Sequence, residues 1–557
     1  TTIIQAAEKL GIEIPHYCYH PGLPVVGQCR MCQVEVEKAP KLAIACATPV
    51  VEGMVVHTSP PKVVKARKAV LEFYLLNHPL DCPICDKGGE CPLQDYTIRY
   101  GPGESRFREA KVKRVKALPI GPHVIFDAER CILCTRCVRF VQDVVGTGEL
   151  GVFHRGDRAE IGLYPGKELD NLYSLNVVDL CPVGALTSRD YRFKARPWDL
   201  VRSVETICPG CSFGCNIILD VRHLDEGERI LRIRPRVNRE VNGYWMCDIG
   251  RFTFKPLYQQ GRLDQPLVRR DGRLVPTSWE EALAELGSRL STILNQYGPR
   301  AVGAILSSRL TNEELYLLQK FFRQVVGTES IDHRVRRVQE DGRDHQEDHL
   351  LLRADRTPNT RGARDMGALP GEKGLDTRGM LEAARSWKLK ALFVFEEDLV
   401  ADLPPSPPLP FSEGDRVGLC PSPLPSGERE RVRGALSQLD LLVVQALSLN
   451  ETASLAHFVL PAFGFAEKEG SFTSFKGRLQ RLQKAVDPLG KPIPIPELLG
   501  CLAAQFGVGG HQALPYSFDE VWAEIAGSRP GYEGITWEEI PPQGIQLPTE
   551  KEPSAIR

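Results

Sequence analysis

The sequence has no run of about eighteen apolar residues and no charged start leading into an apolar core, so neither a membrane-spanning helix nor an export signal is expected. It also lacks net charge: 70 Lys and Arg stand against 71 Asp and Glu, a balance of -1. That gives no reason to expect nucleic acid or an anionic membrane surface as partner. No nucleophile–base pair stands out as catalytic. Cysteine is scarce in the second half, where only Cys420 and Cys501 follow Cys247.

The first half is the opposite. Fifteen of the 17 cysteines fall between Cys18 and Cys247. Thiols at that density repel as thiolates and oxidise readily, so a reduced chain keeps them by binding something cationic. Without an export signal, they point to the cytoplasm or an equivalent reducing space. At 557 residues and 42% hydrophobic content the chain is large enough for about three or four ordinary globular domains. It opens at Thr1 in the middle of what reads as an element, so a short N-terminal piece is expected to precede it.

The densest stretch runs from HPLDCPICDKGGEC to CILCTRC, residues 78 to 137. Cys131, Cys134 and Cys137 are two residues apart throughout, which wraps three thiolates around one face of a polynuclear centre, the bacterial ferredoxin pattern for 4Fe-4S. Zinc sites usually take cysteines in pairs. Cys82, Cys85 and Cys91 are one ligand short, and His78, three residues before Cys82, can complete them. Alternatively Cys181 completes that set and leaves the Cys131 triad short. By spacing the fifteen cysteines fall into groups of four, three, four and four, and His78 brings the ligands to four full sets.

Cys18, Cys29, Cys32 and Cys46 suit a 2Fe-2S centre under loops, a stretched version of the plant-type arrangement. His16 and His20 flank Cys18 but are read as structural, since four thiolates already satisfy the centre. TTIIQAAEKLG reads as a short helix ended by Gly11, and QVEVEK as a strand. A helix from Pro60–Pro61 to Asn77, with Val63, Ala66, Val70, Phe73 and Leu76 on its apolar face, delivers His78. Gly88 and Gly89 allow the turn before Cys91. Gly146, Gly148 and Gly151 spell G-x-G-x-x-G but follow a helix rather than a strand, so they read as a helix-ending loop and not as an NADH site. Cys181-Pro182 supplies the distant fourth ligand of the triad. Cys208, Cys211 and Cys215, with Cys247, form the last set, around strands NIILDVR and RILRIRPR; spacing alone leaves zinc open there.

From residue 266 the pattern is doubly wound α/β. SWEEALAELGSRLSTILNQYG is a helix capped by Ser278 and Glu281, and AVGAILSS, KALFVF and LDLLVVQ are buried strands. Residues 334–378 read as exposed loops and proline-rich 404–434 as a disordered insert holding Cys420 as a bystander. Cys501 reads as a small core residue on a helix.

The four sets in this order closely resemble the large iron-sulfur (75 kDa) subunit family of bacterial NADH-quinone oxidoreductase, respiratory complex I, over residues 1 to about 250. SLNETASLAHFVLPAFGFAEKEGSFTSFKGRLQ is similar to a late motif of molybdopterin-oxidoreductase domains. The resemblance implies a multidomain α+β and α/β protein: a ferredoxin-like (β-grasp) 2Fe-2S domain (1–61), a His/Cys 4Fe-4S segment (62–110), a 4Fe-4S ferredoxin-like domain (111–200), a 4Fe-4S module of molybdopterin-oxidoreductase type (201–257) and a molybdopterin-oxidoreductase-like α/β domain (258–557). It implies an electron wire on the cytoplasmic face of the membrane, in a peripheral arm. Electrons come from a partner subunit that carries FMN and oxidises NADH, and pass toward quinone-side iron-sulfur subunits; membrane contact is only through partners. One 2Fe-2S and three 4Fe-4S clusters are implied, with the Cys208 set off the main path and no FMN, NADH or molybdopterin in this chain. Formate dehydrogenase catalytic subunits share the cluster-rich start, but need a molybdenum-binding cysteine that VGTESIDHRVRRVQ lacks. Iron-only hydrogenases also share it, but need further cysteines after Cys247.

Overall fold

The computed structural model describes residues 1–335, 347–400, 426–506 and 517–548. The chain divides into two units, one from Thr1 to Arg202 and one from Ser203 onward.

The first unit opens with helix Ile3–Lys9, where the Thr2 amide donates to Gln5 Oε1 at 2.9 Å and Gly11, at φ +70°, ends the run. Strand Gln33–Val36 lies between Ala43–Ile44 and Val56–His57, both antiparallel to it. Ile3, Ile4, Ala7, Ile14 and Val34 pack there against Cys32 and Cys46, so this small core is continuous with a ligand set. Helix Pro61–Leu75 forms as expected but turns a different face inward: Val63, Arg67 and Leu71 are buried, while Phe73 is 75% exposed. The cause is Arg67. Its guanidinium donates to the Gln33 carbonyl at 3.0 Å and lies 5.3 Å over the Tyr100 ring, so a charged residue is the one the helix buries.

Further on, helix Arg136–Arg139 widens into a π turn over Phe140–Val145 and stops at Gly146, φ +83°. Strand Leu150–Phe153 follows and contains Gly151, so the glycine run leads from a helix into a strand, the reverse of a dinucleotide fingerprint.

The second unit carries a three-stranded antiparallel sheet (Leu200–Ile207, Asn216–Leu224, Gly227–Pro235) and then a seven-stranded one. We label the latter β1 (Leu267–Arg270), β2 (Arg273–Pro276), β3 (Val302–Ser307), β4 (Ile331–Arg334), β5 (Ala391–Phe395), β6 (Leu441–Ala446) and β7 (Phe458–Pro461). Their spatial order is β2-β1-β7-β6-β5-β3-β4. Strands β3 to β7 run parallel, with β1 antiparallel against β7. Alternate side chains feed two cores: Ala304, Leu306, Phe393 and Val443 one face, Ile305, Leu392, Val394 and Val444 the other.

The strand order reverses between β3 and β5, the place where open α/β sheets bind ligands beyond their carboxyl ends. Here that place is filled by the chain itself. Lys468 Nζ bridges Glu314 Oε2 at 2.7 Å and Glu396 Oε1 at 3.0 Å, and Ser307 donates to Glu397 at 3.3 Å. Glu396 holds a left-handed φ of +51°, strain that the ion pairs fix in place.

Three sequence expectations need correction. Of the 334–378 stretch, residues 336–346 lie outside the described residues and 347–350 and 369–378 are partly to largely exposed, as expected, but 351–368 are mostly not. Thr357 and Asn359 are fully buried, and helix Thr360–Asp365 leads into buried Met366 and Ala368. Their polarity is absorbed by hydrogen bonds: Asn359 donates to Leu310 O and Asn312 Oδ1 and accepts from the Thr473 amide. Of the 404–434 insert, residues 404–425 with Cys420 lie outside the described residues, but Ser426–Leu436 is a helix that buries Ala435 and Leu436. Cys501 sits on helix Ile495–Ala504 but is exposed; Ile495, Leu498, Leu499 and Leu502 form the buried face.

Glu313 is buried beside β3 and is bonded by the Ser471 amide at 2.9 Å and hydroxyl at 2.7 Å, yet burial outweighs these bonds and pushes its carboxyl from 4.5 up to about 7. The folded chain therefore holds a proton that the unfolded chain releases. Stability should fall between pH 4.5 and 7 by about 3 kcal/mol. Glu313→Gln should flatten that slope in denaturant titrations across the same range; an unchanged slope would assign it to other groups.

Candidate metal centres

Cys18, Cys29, Cys32 and Cys46 are all 3% exposed or less. Cys18 hydrogen-bonds Cys29 side chain to side chain, and Cys32 does the same with Cys46, so the set converges as two pairs. Within each pair one thiol is favoured as thiolate: the Cys18 bond and nearby amides draw Cys29 down to about 5, and Cys18 rises in return. His16 is tied to the Ile14 carbonyl at 2.8 Å, and His20 accepts from the Gly22 amide at 3.1 Å.

Cys131, Cys134, Cys137 and Cys181 line one cavity with Phe126, Ile132 and other apolar residues. Leu133 and Thr135, at φ +52° and +59°, coil the loop around it, and the Leu133 amide donates to Cys131 Sγ at 3.4 Å. Burial pushes Cys134 up to about 11 and Cys131 and Cys137 higher still. Such thiols give up their protons to a bound cation.

Cys208, Cys211, Cys215 and Cys247 line a second cavity with Gly210, Met246, Gly250 and Leu352. The Gly210 amide donates to Cys208 Sγ and the Gly250 amide to Cys247 Sγ, each at 3.4 Å. Burial pushes Cys247 up to about 12. Leu352 and Asp355, whose carbonyl accepts from the Ser212 amide at 3.0 Å, belong to the segment read from sequence as exposed loop. Its apolar LLL run was the available signal.

The remaining set is more open. Cys85 and Cys91 are buried, Cys82 is exposed on the turn Cys82–Ile84, and His78 is partly buried. Burial, with Lys111 and Arg130 beside it, draws His78 down to about 4, so its ring is neutral at pH 7, the form that ligates a metal. Cys91 Sγ contacts the Pro182 carbonyl at 3.8 Å, next to Cys181. Sequence reasoning missed Gly184, whose missing side chain makes room for Cys85 Sγ.

Among the described residues no three His, Cys, Asp or Glu are grouped as for a single metal ion. Four thiols around each apolar pocket, with amide donors aimed at sulfur, fit a polyatomic iron-sulfur centre. Among the described residues no helix is long and apolar enough to cross a membrane.

Family models match in the same order. A 2Fe-2S iron-sulfur cluster binding domain covers residues 1–61, and an NADH-ubiquinone oxidoreductase-G iron-sulfur binding region covers 67–106. The ferredoxin-like domain of NADH-quinone oxidoreductase subunit 3 covers 121–187 and a molybdopterin oxidoreductase Fe4S4 domain 201–259. Molybdopterin oxidoreductase covers 262–351 and 354–503. NADH-quinone oxidoreductase-G of Rickettsia bellii is 46% identical over 325 residues, 58% of this chain and 46% of that one. The mitochondrial NADH-ubiquinone oxidoreductase 78 kDa subunit of Neurospora crassa is 48% identical over 332 residues, 59% of this chain and 43% of that one. The match thus spans less than half the length of either relative.

Proposed function

We propose that this chain, a homologue of NADH-quinone oxidoreductase-G and of the 75 and 78 kDa subunits of NADH-ubiquinone oxidoreductases, is the electron-carrying iron-sulfur subunit of such a complex. The single observation that carries the reading is the pair of apolar cavities, each walled by four cysteines from one spacing group. Cys18, Cys29, Cys32 and Cys46 hold a 2Fe-2S centre. Cys131, Cys134, Cys137 and Cys181 hold a 4Fe-4S centre, His78, Cys82, Cys85 and Cys91 a second, and Cys208, Cys211, Cys215 and Cys247 a third. The five-part division given above goes with these sets.

The clusters, when bound, take up and release single electrons; the chain buries, spaces and tunes them. Neutral His78 in place of a thiolate leaves its centre less negative, a substitution that raises potential in Rieske centres. Electrons enter from an FMN-bearing, NADH-oxidising subunit and leave toward quinone-side iron-sulfur subunits, in an arm attached to the cytoplasmic face of the membrane through its partners. The α/β domain is a pterin-free scaffold, supported by Lys468, Glu314 and Glu396 filling the switch-point crevice.

Iron, acid-labile sulfide, zinc and molybdenum measured on the anaerobically purified chain, with EPR after dithionite, test this. About fourteen irons with 2Fe-2S and 4Fe-4S signals are expected. About ten irons and one zinc would reassign the Cys208 set as structural. Stoichiometric molybdenum with formate oxidation would sink the scaffold reading and make the chain a dehydrogenase.

A further inference from the structure

We propose that Arg139 is the positioning residue that couples the Cys18 centre to the Cys131 centre, by holding a ligand residue of each on one nitrogen. This rests on the ligand sets proposed above. Arg139 is 6% exposed and lies two residues beyond Cys137. Its Nη2 donates to the carbonyl of Cys18 at 2.6 Å and to that of Cys134 at 3.2 Å. Nη1 donates to the Pro24 carbonyl at 2.5 Å, and Nε to the carbonyl and hydroxyl oxygens of Thr135, each at 3.3 Å. One guanidinium thus ties the loop of the first set to the loop of the second.

Two consequences follow from the chemistry of that arrangement. First, a continuous route runs from the Cys18 backbone through one hydrogen bond, a single nitrogen and a second hydrogen bond to the Cys134 backbone. An electron leaving the first centre, which is oxidised, has a bonded path to the second, which is reduced, while Arg139 keeps its protons and gains no electron. Second, every acceptor of Arg139 is a neutral carbonyl or a hydroxyl. Its positive charge is therefore left facing two centres that each become more negative on reduction, which favours the reduced states.

Neighbouring contacts support the same junction. Arg136 donates to the carbonyls of Tyr19 and, at 3.2 Å, Leu180, the residues beside Cys18 and Cys181. Gln28 Nε2 donates to the Leu133 carbonyl at 2.7 Å. A lysine cannot reproduce the Arg139 fork, because its single ammonium does not reach acceptors in fixed, coplanar directions.

The test uses the full chain with its clusters, as Arg139→Gln and Arg139→Lys, read by iron content, EPR of each centre, redox titration and the rate of electron passage between the two centres after flash reduction. Arg139→Gln should keep its iron and both signals, lower both potentials and slow the passage about tenfold or more. Arg139→Lys should recover the potentials but not the full rate. An Arg139→Gln chain with wild-type rate and potentials would overturn the proposal. So would loss of either centre in Arg139→Gln together with a wild-type rate in Arg139→Lys, which would leave the arginine a structural bolt. A wild-type chain lacking either signal would sink the ligand sets and this proposal with them; wild-type signals with an inert substitution sink the arginine alone.

Discussion

Gly184→Ala should strip the centre proposed for His78, Cys82, Cys85 and Cys91 and leave the other three proposed centres in place. A methyl group on Gly184 would overlap Cys85 Sγ, with Lys87 Cβ at 3.3 Å and Arg130 Cδ at 3.7 Å closing the other directions. The sulfur has to move, and a ligand displaced by about an ångström no longer meets its iron. Purified protein should therefore lose about four irons of about fourteen, together with one 4Fe-4S signal, while the 2Fe-2S signal persists. Gly103→Ala, which meets nothing within 4 Å, is the matched control. Full iron content in Gly184→Ala would mean that Cys85 is not a ligand, and the His78 set would have to be redrawn.

Lys468→Met should cost the second unit a large share of its stability. Lys468 is 8% exposed and is the shared cation of Glu314 and Glu396, themselves 15% and 14% exposed. Its removal strands two carboxylates in a low-dielectric crevice. Breaking such a pair from one side costs about 3–5 kcal/mol. The sign with pH follows from Glu396, whose carboxyl burial already pushes up. Without the lysine it takes up a proton more readily still, so the variant should regain stability as pH falls and lose it as pH rises. The triple variant Lys468→Met, Glu314→Gln, Glu396→Gln should recover most of the loss, since no buried charge is left. Chemical denaturation across about pH 5–8 reads both effects. A single variant that unfolds like wild type at every pH would show the crevice to be wet, and the ion pairs to carry little weight.

Two of the cysteine groupings, Cys131 with Cys134, Cys137 and Cys181 and Cys208 with Cys211, Cys215 and Cys247, were legible in the sequence as sets that share a cavity, for a physical reason. Residues two or three apart in a tight loop reach one small object whatever the rest of the fold does, so Cys131, Cys134 and Cys137 declare a polynuclear centre locally. The buried strands were equally legible, because AVGAILSS, KALFVF and LDLLVVQ are apolar on both faces and only a covered parallel sheet accepts that. Burial of polar residues was not legible. The apolar pattern of helix Pro61–Leu75 pointed Phe73 inward, yet Arg67 is the residue buried, through partners at Gln33 and Tyr100 that lie far from it in the chain. The 347–378 segment looked like solvent-facing loop because it is polar, and its middle is buried because Asn359 finds partners from Leu310 to Thr473. Cys501 went wrong in the other direction: helix type was correct, but its rotation is set by what packs on Leu498 and Leu502.

By itself, then, the sequence determined that the Cys131 and Cys208 groups each gather around one cavity, which segments are strands and which glycines end helices, since most of these depend on residues within a turn or two. Only the tertiary structure decided which charged residues go inside, that residues 351–352 roof the Cys208 set, that Gly184 clears the space for Cys85, and that Arg139 bridges Cys18 and Cys134. Those depend on partners far apart in the chain, 121 positions for Arg139 and Cys18 and 140 for Cys211 and Leu351. No local pattern encodes a contact at that range; it exists only once the fold has brought both ends together.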